Sequence, residues 1–428
     1  MAVTGFRCAT CETFVDVATF APWRCPNEAG ERRHVLLVED DASPRPADDP
    51  HVSDPNPFVR YRHRMAWYAF ARARGLDDAR IVEIVREVDA AVAEVAGTGF
   101  VTTPIGRHEA LESTVLPGAS IWLKDETRAV GGSHKARHLM SILLHLVTAE
   151  HALVAPWSTD GRPRLAISSC GNAAIAASTL AAAMRWPIDV FIPEWAGGTV
   201  VDTLSSLGAD ITRCPRRDDD PAGDPTVLRF REAVAAGAVP FSVQGPENSL
   251  CLDGGRTIGW EVADQLVADG VGSLDAVFVQ VGGGAFAASM SRGLREGGVS
   301  APLIAVQTEG CAPLARAFAS ARDDERAAAH WSNHMWPWES TPRSLADGIL
   351  DDETYDWVAD VGEMVRTSGR VVVADEDVVV AAASAGPDLT GVDASPTGTA
   401  GLAGLMSVAH SMPSDAQVAL VFSGVRRD

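Results

Sequence analysis

The sequence predicts an α/β protein built on parallel sheets, with a small cysteine-bearing appendage at its N-terminus. From about residue 98 onward, short continuous apolar runs alternate with helical patterns, as strands buried on both faces require. Several of these runs end in glycine- or serine-rich turns that lead directly into a helix, the place where parallel α/β folds build ligand sites. Cys8, Cys11 and Cys25 stand apart from that pattern, ahead of a stretch rich in Asp and Pro.

The whole-chain numbers bound the function. A chain of 428 residues holds two or three domains, and 46% apolar with 22% charged residues is ordinary for a globular protein. The net charge of −21 repels phosphate backbones and anionic membranes, and no basic stripe offsets it. The opening "MAVTGFRCATC" lacks a basic segment followed by an apolar one, so no signal peptide is expected. There is no apolar run of about 18 residues, so no membrane span is expected either. Seven scattered cysteines do not make a secreted disulfide framework, and the expected compartment is the cytoplasm.

In chain order, residues 1–39 read as a zinc-ribbon-like appendage. Cys8 and Cys11 of "CATC" and Cys25 of "WRCPNE" supply three corners; Glu28 is a poor fourth, and His34 is the candidate in its place. The alternative is a ribbon that has lost its metal, and in either case the role is structural. Residues 40–57, with five Asp and five Pro, have linker composition. "FVRYRHRMAWYAFARARG" and "DDARIVEIVREVDAAVAEVAG" then show helical spacing. Beyond them "RLAISS", "IDVFIP", "AVFVQV" and "PLIAVQ" each precede a helical stretch. The tryptophan-rich segment Gln307–Glu353 is less regular and reads as an excursion beside a site or interface.

Three turns carry the chemistry. In "KDETRAVGGSHKARHLM", Lys135 follows a glycine pair and heads a helix, where partial burial would leave its amine unprotonated and nucleophilic. A solvated helix-start lysine is the bland alternative. In "ISSCGNAAIAAS", the amides at the helix N-terminus and the Ser168 and Ser169 hydroxyls suit a carboxylate or phosphate; a plain N-cap explains the same residues. In "VFVQVGGGAFAAS", Gly282, Gly283 and Gly284 let the backbone approach an oxyanion. That loop also fits a G-x-G-x-x-A pattern through Gly282, Gly284 and Ala287, with Glu309 as a candidate ribose ligand, which leaves a dinucleotide oxidoreductase open. His134 and His138 have metal-site spacing, but the flanking Glu of an HExxH motif and a third ligand are missing.

Together these turns resemble the fold-type-II pyridoxal-phosphate enzymes: threonine synthase, serine/threonine dehydratase and cysteine synthase. The lysine motif of that family is matched by Lys124, Glu126, Gly132, Ser133, His134, Lys135 and Arg137. Its asparagine loop is matched by Ser169, Cys170, Gly171 and Asn172, its glycine loop by Gly282 to Ala285, and its C-terminal hydroxyl by Ser423 in "VALVFSG". "NPFVRYR", "TPIGRHEAL" with Thr103 and Pro104, "LDGGRTIGWEVADQL" and "DASPTGTAGLAGL" look most like the threonine synthase branch, where a ribbon-like N-terminus also occurs.

The resemblance implies a two-domain, tryptophan synthase β-like architecture. Residues 58–119 and 241–428 would form the large cofactor-binding domain, and 120–240 the smaller one. Lys135 would be the Schiff-base lysine and carry the Cα proton, while Asn172 would meet the ring hydroxyl of pyridoxal 5'-phosphate. Ser168, Ser169, Cys170, Gly171 and Asn172 would hold the substrate carboxylate. Gly282, Gly283, Gly284 and Ala285 would bind phosphate, and Ser423 the pyridine nitrogen. The implied activity is elimination or replacement at Cβ of a small L-amino acid, with threonine synthesis from O-phosphohomoserine as the alternative, in a homodimer without nucleic-acid or membrane partners. His134 replaces the usual phenylalanine and would either protonate the leaving group or serve as an aromatic wall. Ala136 stands where many relatives have Asp, and Cys170 where they have a small or hydroxyl residue.

Overall fold

The computed structural model describes residues 2–28, 33–41 and 49–427; residues 42–48 of the expected linker lie outside the described residues. An antiparallel three-stranded sheet forms first, ordered Phe14–Asp16, Val3–Cys8, Leu36–Asp40. A six-stranded sheet follows, ordered Arg370–Ala374, Leu303–Thr308, Ala276–Gln280, Gln417–Phe422, Ser120–Asp125, Ile105–Arg107. All of its pairings are parallel except the last. A parallel four-stranded sheet has the order Asp210–Arg213, Ile188–Ile192, Leu165–Ser168, Val239–Pro240. Strands such as Ala276–Gln280 and Leu303–Thr308 are buried at every residue, because helices cover both faces. Ser120–Asp125, where the smaller unit was expected to begin, pairs inside the larger sheet.

The helical spacing of "FVRYRHRMAWYAFARARG" is met by three pieces, the short helix Pro57–Arg60, a 3-10 turn at Arg62–Arg64 and the helix Ala66–Ala73. The cause of the breaks is Arg62, which is buried and bonds Asp49, Asp78 and the Val59 carbonyl. That carbonyl is the acceptor a continuing helix would offer to residue 63. The following helix, Asp78–Ala96, forms as expected between an Asp77 N-cap and Gly97 in the left-handed region.

Two buried ion networks join these layers. In the first, Lys124 donates to Glu261 Oε2 at 2.8 Å, to the Thr103 carbonyl at 2.7 Å and to Gln265 at 2.9 Å. Arg137 donates to Glu261 Oε1 at 2.6 Å and to Glu126 Oε2 at 2.9 Å, so two cations meet two carboxylates. In the second, Glu296 accepts from Arg256 at 3.1 Å, Arg292 at 2.6 Å and the Trp260 indole at 3.0 Å. Burial raises the Glu296 pKa, but the charges of Arg256 and Arg292 outweigh it and hold the carboxyl down at about 2. A depressed folded-state pKa stabilises above the ordinary value near 4.5 and loses that contribution as pH falls toward 2. The effect is on the order of 3 kcal/mol. Glu296→Gln should therefore lower the denaturant midpoint at pH 7, and the gap to the wild type should close between pH 4.5 and pH 2.

The N-terminal sheet docks on the same helices. The Ser249 hydroxyl donates to the Pro22 carbonyl at 2.6 Å, His145 Nε2 lies 2.7 Å from the Phe20 carbonyl, and Arg292 reaches Asp40 at 2.8 Å. Among the described residues no helix is long and apolar enough to cross a membrane.

Candidate active site

Three neighbouring strands of the six-stranded sheet deliver the expected site residues at their carboxyl ends. Ala276–Gln280 leads into Gly282–Gly284, Gln417–Phe422 into Ser423, and Ser120–Asp125 into the loop that reaches Lys135. The lysine loop is fastened to the C-terminal strand: His134 N donates to the Ser423 carbonyl at 3.1 Å and Val425 N to the Gly132 carbonyl at 2.8 Å. Asn172 comes from the other sheet, at the start of the helix Asn172–Ala183 that follows Leu165–Ser168.

The chain has only two lysines, Lys124 and Lys135. Lys124 is consumed by the ion network. Lys135, at the first position of the helix Lys135–His151, makes no hydrogen bond or ion pair through its amine with any described residue. Desolvation lowers its pKa against the opposing pull of Asp351, Cys251 and Asp356. An amine held below its ordinary range is a better nucleophile and proton acceptor.

The glycine loop opens the helix Ala285–Glu296, whose first-turn amides have no intrahelical acceptor. Gly284 has φ +100°, and a Cβ there would lie 2.3 Å from Asp360 Oδ2. Gly284→Ala therefore combines backbone strain with a clash. Strain of about 1–3 kcal/mol at that turn should weaken cofactor affinity at least about fivefold, read by equilibrium titration.

Ser423 is buried, and its oxygen accepts a hydrogen bond from the Gln280 amide. The hydroxyl hydrogen is therefore left free to donate. Arg427 Nε donates to Asn172 Oδ1 at 2.9 Å, which turns Asn172 Nδ2 toward Gly424. Ser168 Oγ lies 2.7 Å from Thr226 Oγ1, and Gly171 N donates to Ser169 Oγ at 3.3 Å. The Cys170 thiol is pushed up to about 11 by burial and by Asp347, Asp224 and Asp351. A thiol so raised stays neutral.

The His134 ring packs 4.1 Å from Phe286 and 5.3 Å from His138, centroid to centroid. Burial, then the Lys135, His138 and Arg137 charges, keep its pKa well below the ordinary value, which favours the neutral ring. His138 Nδ1 faces the Cys251 carbonyl at 2.8 Å, and the two histidines belong to no cluster of metal-binding groups among the described residues. Glu309 accepts from Glu376 N at 2.9 Å, at the start of the helix Glu376–Thr390, so the candidate ribose ligand serves a helix terminus. At the N-terminus, the ligand atoms of Cys8, Cys11, Cys25 and His34 all lie within 4.8 Å of one another, and three thiols with one imidazole suit tetrahedral zinc.

Several groups here were not singled out in the sequence. Gln280 is the one polar residue of a buried strand, Arg427 lies beyond the last strand, and Asp351, Asp356 and Asp360 belong to the acidic run "DDETYDWVAD". Asp351 Oδ2 and Asp360 Oδ2 lie where Cβ atoms of Gly282 and Gly284 would be. Burial pushes Asp356 up to about 7 and Asp360 well above the carboxylate range. Protonated carboxyls behind the loop would act as donors, and so are compatible with a phosphate in front of it.

The unpartnered amine, the helix-terminal glycine loop and the free donor of Ser423 fit pyridoxal phosphate. The family model described as "Pyridoxal-phosphate dependent enzyme" matches residues 98–424, and the chain belongs to that family. An L-serine dehydratase of Saccharomyces cerevisiae (strain AWRI1631) is 28% identical over 202 residues, 44% of this chain and 56% of that protein. The chain thus spans little more than half the length of the curated relatives it matches. A threonine deaminase from T.th. has a similar structure, with TM-score 0.60 and 20% identity over 80% of this chain and 98% of that one. Diaminopropionate ammonia lyase from Escherichia coli superposes with TM-score 0.61 and 16% identity over 81% and 88%. Both likenesses are of fold.

Proposed function

We propose that the protein is a pyridoxal-phosphate-dependent lyase that eliminates a β-substituent from a small L-amino acid, as the likeness to an L-serine dehydratase supports. The observation that carries this is Lys135: of two lysines, it alone has no partner among the described residues, and its loop is hydrogen-bonded to Ser423 and Val425 at the end of the C-terminal strand. When bound, the cofactor supplies the electron sink that acidifies the substrate Cα–H bond and lets a β-substituent depart. Lys135 Nζ would hold the cofactor and then move the Cα proton. Amides of Gly282 to Ala285 would hold the phosphate. Ser423 would donate to the ring nitrogen and, being neutral, would leave it without an extra proton. Asn172, oriented by Arg427, would meet the ring hydroxyl, and Ser168 to Asn172 would receive the substrate carboxylate. His134 would serve as an aromatic wall.

The smaller unit begins, in this reading, after Asp125, and its closure on the larger sheet excludes water. Threonine synthesis from O-phosphohomoserine is disfavoured, because Asp224 beside the Ser168 turn and Asp351 against Gly282 would oppose a second phosphate. A cytoplasmic homodimer belongs to the same proposal. The test is release of keto acid and ammonia by cofactor-loaded protein from a panel of L-serine, L-threonine and other β-substituted amino acids. Release of phosphate from O-phosphohomoserine without keto acid would contradict it.

The ribbon residues Cys8, Cys11, Cys25 and His34 would hold one zinc ion in a structural role. Metal analysis should find about one zinc per chain, and Cys25→Ser should abolish it and lower Tm by several degrees.

A further inference from the structure

The last described residues of the chain fasten three parts of the site together. Beyond Ser423 the backbone runs over the lysine loop, with Val425 N donating to the Gly132 carbonyl at 2.8 Å and an antiparallel bridge pairing Ser133 with Gly424. Arg427 then reaches back. Its Nε donates to Asn172 Oδ1 at 2.9 Å, and its Nη2 donates to the Gly131 carbonyl. One guanidinium thus ties the loop before Lys135 to the helix Asn172–Ala183, and it does so from the strand that ends beside Ser423. Two glycines leave the room for it. A Cβ on Gly132, where φ is +71°, would lie 3.0 Å from Arg427 Nη2, and a Cβ on Gly424 would lie 2.8 Å from Asn172 Nδ2.

These partners are neutral. Arg137, Arg256 and Arg292 spend donors on carboxylates, whereas Arg427 pairs with no described carboxylate and gives two donors to amide oxygens. A guanidinium has no acceptor, so the Asn172 amide cannot turn round without losing its bond: the oxygen faces Arg427 and the NH2 faces away. Asn172 Nδ2 donates to no described residue. A cation on the amide oxygen also draws electron density from the amide nitrogen, which makes that unused N–H a stronger donor. Resting on the cofactor reading above, we propose that Arg427 is a positioning residue that acts through Asn172, holding the amide with its NH2 toward the ring hydroxyl and passing positive charge to that oxygen, so that the ionised form is favoured.

The effect is electronic as well as geometric. An ionised ring oxygen favours a proton on the nitrogen that joins Lys135 to the cofactor, and a protonated nitrogen there withdraws electrons more strongly. Arg427 itself neither takes nor gives a proton, and it touches no reacting atom. Its side chain is exposed, so replacing it empties no part of the core. The relay is therefore separable from folding.

The experiment uses the full chain loaded with pyridoxal phosphate and compares wild type, Arg427→Lys, Arg427→Gln, Asn172→Ala and the double variant Arg427→Gln/Asn172→Ala at one pH. The ratio of the visible absorption band to the band at shorter wavelength reports the ring oxygen without any substrate, and thermal unfolding reports the fold. Arg427→Gln keeps a donor but removes the charge, and should lower that ratio about tenfold with Tm close to wild type. Arg427→Lys restores the charge and should recover most of the ratio. In the Asn172→Ala background the Arg427→Gln change should move the ratio by less than about twofold, because the relay is already cut. A ratio in Arg427→Gln within about twofold of wild type overturns the proposal. So does a lysine variant no better than the glutamine one, or a glutamine effect that persists undiminished without Asn172. A wild type that shows no visible band overturns the cofactor reading and this proposal with it, whereas a wild type with the band and insensitive variants overturns the relay alone.

Discussion

Lys135→Ala should reduce turnover by at least about 10³-fold, because one side chain both holds the cofactor and moves the proton. No second lysine stands by to replace it. Lys124 is fully buried, its amine taken by Glu261, Gln265 and the Thr103 carbonyl. The variant should fold normally, since no described residue loses a hydrogen bond from the missing amine. Circular dichroism and thermal unfolding close to wild type, with the visible band lost, would separate a chemical defect from a structural one. Retention of more than a tenth of wild-type turnover would remove Lys135 from the centre of the account.

The second large effect is on stability. Glu261→Ala should cost about 3–5 kcal/mol, because it leaves Lys124 and Arg137 buried with one carboxylate between them. Glu261 is buried, a condition that raises a carboxyl pKa, yet the Arg137 and Lys124 charges outweigh it and hold the group ionised. The consequence reaches the site, since Arg137 lies two residues beyond Lys135 on the same helix. Chemical denaturation measures the loss, and cofactor titration should show weaker binding at denaturant concentrations where the variant is still folded. A loss below about 1 kcal/mol would mean that the network is solvated and does not hold the helix.

Much of this architecture was legible because its signals are local. Buried parallel strands need continuous apolar runs, and strand-to-helix turns that bind anions need glycine or small polar residues, so "AVFVQVGGGAF" and "AISSCGNAA" announce themselves. The broken helix at Arg62 was not legible, because its cause is Asp49 and Asp78, outside the window in which helical spacing is read. The roles of Lys124, Glu126 and Arg137 were hidden for the same reason. The motif lists them in order, but Glu261 turns them into a network from more than a hundred residues away. The acidic groups beside these turns were missed because Asp224 and Asp351 look like solvated surface until one caps the helix next to Ser168 and the other lies against Gly282. His134 shows the limit from the other side: a titratable ring next to the lysine left proton transfer and an aromatic wall both open in the sequence, and burial against Phe286, with the Lys135, His138 and Arg137 charges nearby, lowers its pKa well below the ordinary value.

The most direct test of the central claim is chemical trapping. Protein loaded with pyridoxal phosphate would be reduced with borohydride, digested, and mapped by mass spectrometry. With only two lysines in the chain the result is unambiguous. The account requires a stoichiometric pyridoxyl group on Lys135 and none on Lys124. Label on Lys124, or a protein that binds the cofactor and carries no reducible link to either lysine, would contradict it.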